Sequence, residues 1–137
     1  MPRQLIASDG LTKAVPYHYA AAAIGNALVF SAGACPLDTD GRVIHAGDIA
    51  GQTRQSLANL KVALADSGCS HADVVKTTLF VASSSRDDLL RAWGEYTRVF
   101  GTDGPPSTLL GVAVLGWPEQ LVEIEAIAVR DGGPASA

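Results

Sequence analysis

LVEIEAIAV, residues 121–129, is the stretch from which the fold is read. Side chains along a strand alternate between faces, so Val122, Ile124, Ala126 and Ala128 form one wholly apolar side that needs a packed layer over it. The opposite side carries Leu121, Glu123, Glu125, Ile127 and Val129, so two of the chain's four glutamates share a face with three large apolar residues. The pattern alone leaves two readings of that face open. Either the glutamates solubilise an exposed sheet, or the face packs against other subunits and holds a carboxylate at the contact. Such a carboxylate would have its pKa raised by desolvation or lowered by a cationic partner, and could act as a general base on water.

Outward from this strand, Thr108 to Leu115 (TLLGVAVL) reads as its predecessor, set off by Gly116, Trp117 and Pro118 and by the break at Gly104 to Pro106. Ser84 and Ser85 ahead of Asp87 and Asp88 form a capping signature. Leu89, Trp93, Tyr96 and Phe100 then follow at helical spacing, which predicts a helix ending at Gly101. Val74 to Ala82 is β-branched and reads as a strand. Leu57, Leu60 and Leu64, widened by Ala58, Val62 and Ala65, predict an earlier helix with Asp48 as N-cap and Gly68 as the C′ residue. Tyr17 to Ala23 and Ala27 to Ala32 flank Gly25-Asn26 and predict a hairpin. Pro36 to Gly47, with a turn at Asp40-Gly41, reads as a loop holding a short strand at Val43-Ile44. The order β-β-α-β-α-β-β predicts an α+β sandwich whose mixed sheet carries both helices on one face and needs a partner on the other.

A chain of 137 residues with 47% hydrophobic and 18% charged residues suits one domain and can bury a core without metal or disulfide staples. That single domain spans 1–137, with its core over about 15–130 and with the N-terminal segment and the tail 131–137 (DGGPASA) expected to fray. Ten basic against 14 acidic residues give a net charge of −4, which disfavours electrostatic binding to nucleic acid or anionic membranes. Neither a signal-peptide pattern nor a membrane-length apolar run occurs, so a cytoplasmic protein is expected. Cys35 and Cys69 lack a CxxC or any zinc-like spacing and read as reduced thiols, with no metal site.

With these elements in view, the chain resembles the reactive intermediate deaminase (Rid) family, also called YjgF-like or endoribonuclease L-PSP. The resemblance runs from about Tyr17 to Arg130 and rests on GDIAGQTRQSLANLK (Gly47 to Lys61), ADVVKTTLFV (Ala72 to Val81), VEIEAIAVR (Val122 to Arg130) and SAGACPLD (Ser31 to Asp38). It implies a chorismate-mutase-like fold in a homotrimer, with small-molecule clefts between neighbouring subunits. It also implies cofactor-independent hydrolysis of enamines or imines, such as 2-aminoacrylate, to a keto acid and ammonia.

Carried over by motif, the resemblance assigns the water-activating glutamate to Glu123, the pocket tyrosine to Tyr17 and the loop amide to Gly33. The family's carboxylate-clamping arginine, in a Pro-x-Arg-Thr motif, falls on Ser107 within Pro105-Pro106-Ser107-Thr108, and an asparagine of the second helix falls on Trp93. A serine hydroxyl gives neither the charge nor the bidentate orientation of a guanidinium. Imino acids are therefore expected to be poor substrates, whereas Glu123 could still direct water at an uncharged imine or another small electrophile.

The remaining candidates each have a plainer reading. Trp93 fits the core by its periodicity, or lines an apolar cleft if it reaches one. Cys35, in the glycine-proline loop, reads as a small hydrophobe that could line the cleft, with no activating partner at an identifiable spacing. His18 points away from Tyr17's face if the strand is regular, and His45 and His71 read as solvated loop residues. Arg54 reads as a surface or interface ion pair, while Arg86, Arg91 and Arg98 replace the clamp only if their helix tips into the cleft. Three function classes follow: an atypical Rid-type hydrolase, a non-catalytic small-molecule binder or chaperone-like trimer, and a ribonuclease. The last is weakest, since the chain is acidic and has no evident His pair or metal cluster.

Overall fold

The stripe of Leu57, Leu60 and Leu64 is the buried side of an α-helix, α1, running Ile49–Asp66. Asp48 caps it, accepting a hydrogen bond from the Gly51 amide at 2.9 Å, and Gly68 turns the chain out at a φ of 80°. This computed structural model describes residues 3–23 and 28–130. The other elements are strands β1 (Arg3–Ile6), β2 (Ala20–Ala23) and β3 (Leu28–Ser31), a 3₁₀ turn at His71–Asp73, β4 (Val74–Val81), helix α2 (Arg86–Phe100), β5 (Ser107–Gly111) and β6 (Val122–Val129). They build the expected α+β sandwich. Among the described residues no helix is long and apolar enough to cross a membrane.

One mixed sheet runs in the order β1-β2-β3-β6-β4-β5, with β4 and β5 parallel and the other pairs antiparallel. β6 lies between β3 and β4. Val122, Ile124, Ala126 and Ala128 are buried on its inner face, against α1 over β3 and β6, while α2 lies over β4 and β5. Two sealing layers on one side leave the other side bare. There the cross-strand pairs Phe30↔Ile127, Thr78↔Glu125 and Phe80↔Glu123 share a face. Phe30 is 43% and Val129 40% exposed on it, so large apolar surface faces outward.

Several sequence expectations need correction. Strand β1 was not foreseen: it pairs Ile6 with Ala20, and Ile6, Ser8, Leu11 and Thr12 are buried, so the N-terminal segment is part of the packed structure rather than a frayed end. The apolar stretch from Tyr17 gives a strand only at Ala20–Ala23, and the Gly25-Asn26 turn lies outside the described residues, as does the tail 131–137. The strand expected over 108–115 is β5, ending at Gly111; Val112 still donates to the Val81 carbonyl, but the chain then leaves the sheet edge. Leu121 precedes β6 and packs against the inner core instead of joining the open face. Val43 makes only an isolated bridge to Leu37.

α2 is fixed by an aromatic column. Trp93 stacks on Tyr96 with centroids 4.9 Å apart, Tyr96 on Phe100 at 4.6 Å, and the His71 ring sits 4.8 Å from Phe100. His71 is therefore half-buried, not solvated, and burial next to Lys61 lowers its pKa and favours the neutral ring.

Candidate active site

Glu123 stands on the open face near the start of β6, where the strand leaves a loop that packs on α1. Two side chains on one helix face, Gln52 and Asn59, hold the site's loops, because residues seven apart lie two turns along the same side. The buried Gln52 amide donates to the Glu119 carbonyl at 3.0 Å and accepts from the Leu121 amide at 2.7 Å, fixing the chain just before β6. Asn59 donates to the carbonyls of Cys35 and Leu37 at 2.8 and 2.9 Å and so holds the glycine-proline loop. The isolated pairing of Ala34 with Ile124 brings that loop to β6.

These ties converge on the Glu123 carboxylate. The Cys35 thiol donates to its Oε1 at 3.3 Å and the Gln120 Nε2 donates to the same oxygen at 3.1 Å. Gly33 lies so close beneath that any Cβ there would collide with the carboxylate. Its neighbours Ala32 and Ala34 donate to the carbonyls of Tyr19 and Ile124, while the Gly33 N–H has no acceptor among the described residues. Burial, and then the adjacent Glu123, push the Cys35 thiol up to about 12. It is a protonated donor at neutral pH rather than a nucleophile. Burial and the proximity of Cys35 push the Tyr17 hydroxyl up to about 12 as well, opposed by a hydrogen bond from Trp117. Tyr17 also meets Tyr19 edge-on, 5.8 Å between centroids.

Glu123, Cys35, Gly33 and Tyr17 are thus brought together. Ser107 and Trp93 lie apart from them. Ser107 pairs with Thr77 on the inner side of the sheet, and its hydroxyl closes a cluster with Thr77 at 2.5 Å and Tyr96 at 2.6 Å, while Thr77 and Tyr96 are 2.7 Å apart. Trp93 packs against the core beside it, following its plainer reading. His18 and His45 are exposed. Arg54 pairs with Glu95 at 3.1 Å, Arg98 reaches the same carboxylate at 3.6 Å and Arg91 reaches Asp88 at 3.5 Å. A hollow of about 320 Å³ beside Tyr17, lined also by Lys13, Val15, Pro16 and His18, does not include Glu123, Cys35 or Gln120.

Sequence reasoning missed Gln120, Trp117, Gln52 and Asn59. The last two carry a usable signal, polar residues at i and i+7 beside a buried stripe. Gln120 carries none, because a glutamine in an irregular loop has no periodicity to betray its burial. Among the described residues no three His, Cys, Asp or Glu side chains gather as a metal site would require.

A half-buried, hydrogen-bonded carboxylate beside a glycine loop, on the bare face of a two-helix α+β sandwich, is the candidate site. Residues 11–130 match the family described as Endoribonuclease L-PSP, and the chain belongs to that family, which is the Rid or YjgF-like family. The chain is 33% identical to the 2-iminobutanoate/2-iminopropanoate deaminase of Salmonella typhimurium, over 88% of this chain and 99% of that protein. It is 29% identical to the 3-aminoacrylate deaminase RutC of Acinetobacter baylyi, over 93% and 98%. The crystal structure of the YjgF gene product of E. coli superposes with a TM-score of 0.79 at 32% identity, covering 93% of this chain and 99% of that one.

Proposed function

We propose that this protein is a cofactor-independent hydrolase of small imines or enamines, acting in clefts between three copies of the chain, with Glu123 as the general base. The observation that carries the reading is the Glu123 carboxylate, hydrogen-bonded by Cys35 and Gln120 and packed against Gly33, whose N–H has no acceptor among the described residues. Glu123 takes a proton from water as the water oxygen attacks the C=N carbon. That proton passes to nitrogen to give a carbinolamine; Glu123 then takes the carbinolamine hydroxyl proton and hands it to the amine nitrogen as the C–N bond breaks, leaving a carbonyl and ammonia. The bare sheet face, with Phe30, Ile127 and Val129 beside Glu123 and Glu125, supports the trimer, because burying it completes the sandwich.

The substrate differs from the imino acids of the deaminase relatives. Ser107 is neutral and already engaged by Thr77 and Tyr96, so it offers a substrate carboxylate no charge. The same observation favours a second reading, a non-catalytic binder of small uncharged ligands. Ammonia release from imines generated in situ decides between them. An enzyme accelerates hydrolysis of an uncharged imine over that of 2-iminobutanoate and loses the acceleration in Glu123→Gln. A binder accelerates neither.

A further inference from the structure

We propose that Gln120 and Cys35 act together as positioning residues that grip Glu123 by Oε1 alone, leaving Oε2 as the oxygen that receives the proton. The inference rests on the reading of Glu123 as the base but stands on separate geometry. Gln120 is 3% exposed and every polar atom of its amide is used. Its Oε1 accepts from the Trp117 amide at 3.1 Å, and its Nε2 donates to the Val122 carbonyl at 3.0 Å and to Glu123 Oε1 at 3.1 Å. The flipped amide would set its oxygen against a carbonyl and a carboxylate and its NH₂ against an N–H, so only one orientation is viable. Gln120 is therefore a one-way donor to Glu123.

Cys35 adds a second donor to the same oxygen, at 3.3 Å. Among the described residues, none donates to Oε2. That oxygen instead packs over Gly33, where the absent side chain leaves room for it. Two donors on one oxygen draw charge toward it and stop rotation about the carboxylate bond, so the basic lone pairs of Oε2 keep a fixed aim. Asn59 and Gln52 hold the segments that carry the two donors, so the grip is built into α1.

Carboxylate carbon NMR on protein labelled at glutamate reads this grip without reference to turnover. The Glu123 signal is identified by its loss in Glu123→Gln. In Gln120→Ala and Cys35→Ala it should move toward the position of the exposed Glu119 signal, as the freed carboxylate averages over rotamers. Cys35→Ser keeps a donor and should leave it in place. Thermal melts of each variant identify any that fails to fold, and Gln120→Leu, which preserves volume, substitutes for Gln120→Ala if that variant does. An unmoved signal in the folded Cys35 and Gln120 variants, or an equal shift in Cys35→Ser and Cys35→Ala, overturns the proposal. Undiminished imine hydrolysis in Glu123→Gln would overturn the base reading instead and leave the grip standing.

Discussion

Replacing Tyr96 by phenylalanine removes one oxygen from the three-hydroxyl cluster under α2 and leaves the aromatic column intact. Tyr96 is 2% exposed, and its hydroxyl makes two short contacts, 2.7 Å to Thr77 and 2.6 Å to Ser107. Neither partner is orphaned by the change: Thr77 and Ser107 still bond at 2.5 Å, and Ser107 still donates to the Pro105 carbonyl at 2.9 Å. The loss is therefore that of hydrogen bonds without a new unsatisfied group, about 1–2 kcal/mol. For a domain between the surveyed size classes that lowers Tm by roughly 3–8 °C. Circular-dichroism melts at matched protein concentration measure it. Ser107→Ala should cost a similar amount. Because Thr77 and Tyr96 keep each other in that variant, the double variant should depart from additivity by roughly 0.5 kcal/mol or more. A Tyr96→Phe protein within about 0.3 kcal/mol of the parent, or strict additivity, would refute the reasoning.

Gly33→Ala should unseat the Glu123 carboxylate while leaving the fold intact, abolishing imine acceleration with little change in Tm; full activity would contradict the close approach at that loop. Cys35 titrates in the unfolded chain near 9.0 and in the folded protein near about 12, so the native state holds its proton more tightly. Its stabilising contribution is present below pH 9.0 and lost as pH rises toward about 12, and urea midpoints of Cys35→Ala should fall less steeply across that window than those of the parent. Phe30→Asp places a charge on the bare sheet face, and light scattering should show the proposed trimer of the parent giving way to monomers; an unchanged mass would exclude that face from a subunit contact.

The fold was legible where periodicity is enforced by burial. The alternation of β6 and the leucine stripe of α1 both survive because each has one side sealed against the other. β1 was not legible, since Arg3–Ile6 has no alternation and earns its place only by pairing with β2. At the site, Glu123 stood out for its oily neighbours. Its contact with Cys35 spans 88 residues, and such a contact is fixed by loop placement, which leaves no local pattern. The inward aim of Ser107 is set by its parallel register with Thr77, another long-range fact.

The central place of β6 has a consequence for how the protein moves. A strand bonded along both edges and sealed beneath by α1 exchanges its amide hydrogens only when the whole domain opens. Glu123 is mounted on that slowest-opening strand, whereas Tyr17 comes from an irregular stretch ahead of β2. Under the proposed mechanism the Glu123 carboxylate is therefore held still while the wall facing it rearranges, so variation in ligand shape would fall to the tyrosine side and leave the line of proton transfer unchanged.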